Sequence, residues 1–101
     1  MDRVKEKTKI KQKLKPPKLY KVLMHNDNYT TMDFVVEILK TIFNKSPEES
    51  ERIMLTIHKK GVGLCGIYPL DIAVTKTELV HYLADKNKFP LKCSVEPEQE
   101  N

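Results

Sequence analysis

The stretch from Ser46 to Gly61 constrains the fold most, because its residues mark both ends of one helix. Ser46-Pro47-Glu48-Glu49 combines a favourable N-cap serine, a proline at the first helical position and an acid at the third. Two lysines precede Gly61, and cations stabilise the last turn of a helix, whereas glycine readily takes the left-handed conformation that ends one. The sequence therefore predicts a helix that begins after Ser46 and ends at Gly61.

A further helix is predicted just upstream. Among the apolar residues between Met32 and Asn44, those at positions 35, 36, 39, 42 and 43 have the spacing of one helical face. Thr30, followed three residues later by Asp33, resembles a capping box, so we expect it to begin this helix. The two helices are nearly adjacent in sequence and must meet in a tight corner or hairpin.

Three short segments have the composition of strands. They are Leu19 to His25, Val62 to Tyr68 with Pro69 ending it, and Leu91 to Val95. The second contains Gly63 and Gly66, which allow a bulge or the close approach of another backbone.

The last helix is predicted to begin at a capping box formed by Thr75 and Glu78. Its inner face would carry Leu79, Val80 and Leu83, and its end would be bracketed by Asn87 and Pro90.

The resulting order is β-α-α-β-α-β, and the economical packing places helices on one face of a small sheet. We therefore predict a single α+β domain over residues 18–96. It would be preceded by a flexible basic extension, residues 1–17, which ends at two prolines, and followed by a polar tail, residues 97–101.

The net charge of +4 is unevenly distributed. Residues 1–18 contain eight basic and two acidic residues, a net +6, whereas the remainder contains ten and twelve, a net −2. A basic tail can bind nucleic acid or an acidic surface, or it can be a solvated leader that binds nothing strongly. No aromatic residue interrupts the basic run to offer a stacking platform for bases.

Other composition features narrow the class of protein. No apolar run approaches the roughly 18 residues of a membrane-spanning helix. Cys65 and Cys93 lack C-x-x-C spacing, which indicates reduced thiols in a cytosol-like compartment rather than a disulfide scaffold or a zinc site.

Catalysis and metal binding find little support. Cys65 and His58 could form a catalytic thiol–imidazole pair, but a cysteine inside a strand is more often a small buried hydrophobe. Phosphate-loop and nucleophile-elbow motifs are absent, so we predict no enzyme and no cofactor. His25, His58 and His81 lie too far apart in sequence to indicate a metal site.

A binding site is better supported. Asn26-Asp27-Asn28 is a polar corner between the first strand and the first helix, beside Met32. Met54, Ile57 and His58 share one face of the second helix. They are either core with a polar edge or the floor and wall of a cleft that faces the corner. Such a cleft would suit an amine attached to a bulky apolar group.

Separated segments of this chain, agreeing in order and spacing over about residues 19–96, resemble the ClpS adaptors of the Clp protease. They are Tyr20-Lys21-Val22, Asn26 to Val35, Met54-Leu55-Thr56-Ile57-His58, Gly61 with Cys65-Gly66-Ile67-Tyr68, Asp71-Ile72-Ala73, Thr75-Lys76 and Pro90-Leu91-Lys92-Cys93. The resemblance implies three helices on a three-stranded antiparallel sheet.

The resemblance also implies a function. Such an adaptor grips a first residue that is Leu, Phe, Tyr or Trp, and delivers the substrate to a Clp AAA+ unfoldase in the bacterial cytoplasm. Its α-amino group would be held by Asn26, Asp27, Asn28 and His58, and its side chain by Thr30, Met32, Val35, Met54, Ile57 and Leu91. The N-terminal domain of a ClpA or ClpC type unfoldase would dock on Tyr29, Asp71 and Lys76. We expect a monomer.

This chain departs from the family pattern in places. Asn28 stands where the family usually has Asp, and Val74 where relatives often have Glu. The lysine-rich extension is not a family feature either. The alternative hypothesis is a nucleic-acid or ribosome-associated protein that acts through this extension, and salt-sensitive binding to any polyanion would distinguish it.

Overall fold

The computed structural model describes residues 15–98, and its elements follow the predicted order. They are β1 (Leu19–His25), α1 (Met32–Thr41), α2 (Pro47–Lys60), β2 (Val62–Pro69), α3 (Leu70–Lys86) and β3 (Lys92–Pro97). The strands form one antiparallel sheet in the order β2-β1-β3, and the helices pack on it, which confirms the α+β prediction. No helix in this part of the chain is both long and apolar enough to cross a membrane. Residues 1–14 of the predicted extension, and 99–101 of the tail, lie outside the described part.

The central strand β1 organises the core. Val22 and Met24 are fully buried on one face, whereas their neighbours Lys21 and Leu23 are partly exposed on the other. This alternation is expected of a strand with helices on one side only. The buried face of the sheet meets the apolar faces of all three helices in one cluster.

A β-bulge in β2 shapes the edge of the sheet. Val22 of β1 lies opposite Gly66, but the next residue, Leu23, lies opposite Leu64, so Cys65 is the additional residue. Its thiol is free and fully buried, as predicted for a small hydrophobe. A hydrogen bond with Cys93, together with burial, raises the pKa of the Cys65 thiol well above its usual value.

Both predicted ends of α2 are confirmed. The Ser46 hydroxyl accepts a hydrogen bond from the Glu49 N–H at 3.1 Å. At the other end, Gly61 has a φ of +90°, and its N–H donates to the Ile57 carbonyl at 2.8 Å. Upstream, α1 stops at Thr41, short of Asn44, because Asn44 takes a left-handed φ of +56° that cannot continue a helix.

The predicted start of α3 at Thr75 is wrong. The helix begins at Leu70, directly after Pro69, whose backbone is still extended (φ −56°, ψ 156°) and which provides no side-chain cap. Asp71 lies in the first turn, where a carboxylate is favoured, and accepts from the Ile72 N–H at 2.9 Å. Leu79, predicted on the inner face, is 44% exposed, whereas Val80 is buried.

Candidate functional site

The loop between β1 and α1 is organised by the Asp27 carboxylate. One carboxylate oxygen, Oδ1, accepts from the N–H groups of Tyr29 and Thr30 at 2.8 and 2.7 Å. The other, Oδ2, accepts from the Thr30 hydroxyl at 2.8 Å. Through these hydrogen bonds, the Asp27 side chain fixes the backbone of Tyr29 and Thr30 in a turn just before α1.

The same bonds determine the ionisation of Asp27. Partial burial alone would raise the pKa of its carboxyl, but the hydrogen bonds from Thr30 and Tyr29 outweigh burial and hold the pKa below the ordinary value. The carboxylate is therefore negatively charged at neutral pH.

The cap of α1 differs from the prediction by one residue. The Thr31 hydroxyl, not that of Thr30, accepts from the Phe34 N–H, at 3.2 Å. The Thr30 hydroxyl instead donates to Asp27, one residue ahead of the cap. Met32 thus becomes the first residue of the helix, and its side chain is 46% exposed.

The corner is tied to the end of α2 through its backbone. The Asn26 N–H donates to the Gly61 carbonyl at 2.9 Å. Asn26 is the residue after β1, and Gly61 is the C-cap of α2, so this bond joins the two elements that carry polar site residues.

A cavity of about 260 Å³ opens between the corner, α1 and α2. Its lining residues are Asn26, Asp27, Asn28, Thr30, Met32, Val35, Met54, Ile57 and His58. Every one of them belongs to the predicted site. The two helix faces inferred from sequence spacing, one from each helix, therefore meet around the same space.

The cavity has a polar and an apolar part. Asn26, Asn28 and His58 are exposed and can accept hydrogen bonds through amide oxygens or a neutral imidazole nitrogen. Val35, Met54 and Ile57 are buried and contribute apolar surface. This combination suits a ligand with hydrogen-bond donors at one end and an apolar group at the other.

Leu91 is the one residue predicted for the apolar pocket that is not among the lining residues of the cavity, and it is buried, with 3% exposure. Tyr29, predicted for docking, lies on the corner and is 76% exposed.

The other two predicted docking residues flank a second concavity of about 400 Å³, between the end of α1 and α3. It is lined by Thr41, Ile42, Asn44, Asp71, Ile72, Thr75, Lys76 and Leu79. The Lys76 ammonium donates to the Ile42 carbonyl at 2.7 Å and lies 5.2 Å from the centre of the Tyr68 ring. It therefore also satisfies the C-terminal end of α1.

The remaining histidines have structural partners. His25 Nε2 lies 2.7 Å from the Ser94 hydroxyl across the sheet. His81 Nε2 accepts from the Cys93 N–H at 2.9 Å, which joins α3 to β3. Within residues 15–98, no cluster of three or more His, Cys, Asp or Glu side chains could hold a metal ion.

Sequence reasoning missed the support of the site rather than its lining. The bond from Asn26 to Gly61 could not be inferred from either segment alone. Gly63 lies directly behind Ile57, and only its place in a strand with two glycines hinted at a close approach.

Comparisons with known proteins agree with this geometry. Residues 15–94 match the family model described as ATP-dependent Clp protease adaptor protein ClpS. The ATP-dependent Clp protease adapter protein ClpS of Desulfatibacillum aliphaticivorans is 54% identical over 90% of this chain and 88% of its own length. The adapter of the same name from Myxococcus xanthus is also 54% identical, over 88% and 83% respectively.

A solved structure, that of Agrobacterium tumefaciens ClpS2 bound to L-phenylalaninamide, superposes with a TM-score of 0.79 at 40% identity. The match covers 82% of this chain and all of that one. Sequence and fold thus agree along almost the whole described length, and the chain belongs to the ClpS family of adaptor proteins of the ATP-dependent Clp protease.

Proposed function

We propose that this chain is a non-enzymatic adaptor that binds proteins through a bulky apolar first residue, Leu, Phe, Tyr or Trp, and delivers them to a Clp AAA+ unfoldase. The observation that carries the proposal is the cavity of about 260 Å³ with acceptors at its rim and apolar side chains at its base. Ligand pockets for drug-sized molecules span about 300–1,000 Å³, so this one suits a single side chain. A relative was solved with L-phenylalaninamide, which carries a free α-amino group and a phenyl ring.

The α-amino group would be held at the rim. A free α-amino group has a pKa of about 7.7–8.0, so it is largely a cation with three donors at neutral pH. Asn26 and Asn28 offer amide oxygens, and a neutral His58 offers a ring nitrogen. Hydrogen bonds to a charged group contribute about 1.5–3 kcal/mol each, which an acetylated amine would forfeit.

Asp27 would act in two ways. Its carboxylate accepts three hydrogen bonds from its own loop, so its first effect is to position the corner. A carboxylate has about four acceptor sites, so its negative charge and remaining lone pair still favour a cation at the rim.

The first side chain would enter among Val35, Met54 and Ile57, with Thr30 and Met32 beside them. Burial of a Leu or Phe side chain contributes about 1.5–3 kcal/mol. Met32 would act as a gate, because a β-branched Ile or Val has a stiff χ1 and cannot turn away from it. After the entropic cost of association, these terms suit binding in the micromolar range.

Delivery would use a different face. We propose that the N-terminal domain of a ClpA or ClpC type unfoldase docks where Asp71 and Lys76 flank the second concavity, with Tyr29 as an exposed aromatic contact. Residues 18–96 would form the adaptor domain and the basic residues 1–17 the segment that the unfoldase engages. As a partner of this protease, the chain would act in the bacterial cytoplasm.

The proposal is tested by fluorescence anisotropy with three labelled peptides that differ only at the first residue: Phe, Met and acetyl-Phe. We expect micromolar binding of the Phe peptide, weaker binding of the Met peptide and no measurable binding of the acetylated one. Equal binding of all three peptides would exclude recognition of the N-terminal residue.

A further inference from the structure

Gly63 lies in β2 immediately behind a residue of the cavity. A Cβ added to Gly63 would lie 2.6 Å from Ile57 Cγ1, 3.4 Å from Ile57 Cδ1 and 3.5 Å from the Ile53 carbonyl oxygen. The φ of Gly63 lies outside the left-handed region, which among the glycines only Gly61 adopts, so its backbone would accept an L-residue without strain. Space, not backbone conformation, therefore requires glycine at this position.

Ile57 separates Gly63 from the cavity. Its longer branch rests against Gly63, and the same side chain lines the cavity. It is only 3% exposed and is packed in the core, where interior side chains leave few voids. An added methyl group at Gly63 must displace Ile57, because 2.6 Å from Cγ1 is closer than two carbon atoms can approach, whereas 3.5 Å from the Ile53 carbonyl oxygen is an ordinary contact. The cavity is the space into which Ile57 can move.

We propose that Gly63 sets the depth of the cavity, and hence the preference for large over small first residues, by letting Ile57 recede from the ligand. This inference rests on the proposed function, in which the cavity holds the side chain of the first residue. One methylene group in an apolar pocket can change discrimination by about 10-fold or more. Gly63 would thus affect the choice of first residue through Ile57, without contacting the ligand itself.

The test compares labelled peptides that begin with Trp, Phe and Leu against the wild type and Gly63→Ala. Overpacking by one methyl group should weaken Trp binding by roughly 10-fold. Leu, which fills less of the cavity, should be affected much less, so the ratio of the two dissociation constants changes. A merely destabilised fold would weaken both peptides equally, and that outcome would overturn the proposal.

Gly66→Ala is the matched control. Gly66 lies in the same strand, and a Cβ there would lie 2.6 Å from Tyr68 Cζ, a side chain that does not line the cavity. It imposes a comparable collision elsewhere, so the Trp-to-Leu ratio should stay at the wild-type value. A changed ratio in Gly66→Ala would contradict a specific role for Gly63.

A second pair keeps the test decisive if Gly63→Ala does not fold. Gly63→Ala combined with Ile57→Ala removes Ile57 Cγ1, the atom that the new Cβ would meet at 2.6 Å, so nothing is pushed toward the ligand. The double variant should show the same ratio of Trp to Leu dissociation constants as Ile57→Ala alone, and a folded double variant with a weaker relative affinity for Trp would overturn the proposal. The acetyl-Phe control on the wild type is independent, because its failure contradicts recognition of the first residue whatever the Gly63 variants show.

Discussion

Negative charge at the rim of the cavity is supplied by Asp27, because its neighbour Asn28 carries only a neutral amide. The Asp27 carboxylate is already shared among three hydrogen bonds within its loop. Asn28 is exposed and lines the same cavity. At the scale of a single residue, this position should therefore determine how strongly the rim attracts a cation.

We expect Asn28→Asp to tighten binding of a Phe-initiated peptide modestly, by up to about fivefold. An exposed ion pair contributes about 0.2–1 kcal/mol, and the gain should shrink as salt is raised. Anisotropy titrations at low and high salt measure both effects. An acetyl-Phe peptide serves as the control, since it lacks the charge. Unchanged or weaker binding of the free-amine peptide would show that charge at residue 28 does not matter.

Asp27 should also link stability to pH. Its pKa is lowered in the folded protein, so its contribution to stability is fully present above about pH 5 and is lost as the pH falls through the folded pKa. We expect Asp27→Asn to lower the free energy of unfolding by about 1 kcal/mol at pH 7. This difference should shrink as the pH falls through the lowered pKa of Asp27, because the wild-type carboxyl then becomes protonated. Urea unfolding at pH 7 and at a series of acidic pH values tests it, and a difference that grows in acid would reverse the assigned sign.

At the scale of elements, the two ends of α2 should have separable roles. Ser46→Ala removes the N-cap hydrogen bond and should lower the free energy of unfolding by about 1 kcal/mol. Its end of the helix is remote from the polar corner, so Phe-peptide affinity should not change. Gly61→Ala strains a φ of +90° at the residue whose carbonyl accepts from Asn26, so stability and affinity should both fall. Urea unfolding and anisotropy on both variants measure this, and equal effects on affinity would refute the distinction.

The same helix explains what could be predicted from sequence. Its caps depend on residues adjacent in the chain, so the sequence predicts Ser46 and Gly61 correctly. The spacing of three and four residues likewise predicts that Met54, Ile57 and His58 share one face. The start of α3 depended instead on Pro69, which ends a strand and begins a helix at once, and the Thr75–Glu78 pattern concealed this. The capping role predicted for Thr30 belongs to Thr31, while the Thr30 hydroxyl donates to Asp27. Leu91, which the family resemblance implies, is buried and not among the cavity-lining residues, so its role in the pocket stays a prediction.

At the scale of the whole molecule, two concave surfaces lie on different elements. The cavity involves α1, α2 and the corner, whereas the second concavity lies between the end of α1 and α3. We expect Asp71→Lys to weaken binding of the unfoldase N-terminal domain at least fivefold while Phe-peptide affinity stays unchanged, because Asp71 lines the second concavity and not the cavity. Lys76 is a poorer test, since its ammonium also bonds the Ile42 carbonyl. Paired titrations with each ligand decide the matter, and loss of peptide binding would show that the surfaces are not independent.

The basic extension tests whether binding and delivery are separate properties of the molecule. Residues 15–17 are exposed, and the first ladder residue is Leu19, whose carbonyl accepts from the Glu98 N–H at 2.9 Å. We therefore expect deletion of residues 1–17 to leave the sheet and the cavity intact, and Phe-peptide affinity to stay at the wild-type value. Degradation of a Phe-initiated substrate by the unfoldase and protease should fall, because the engaged segment is gone.

Replacement of residues 1–17 by a neutral Gly/Ser segment of the same length distinguishes the effect of the extension's length from the effect of its charge. If the unfoldase needs only chain to engage, this variant should restore degradation, and if it responds to the net +6 of residues 1–18, it should not. Loss of peptide binding on deletion would instead place the extension within the site. Salt-sensitive binding of the wild type, but not of the deletion, to any polyanion would favour the nucleic-acid alternative over delivery.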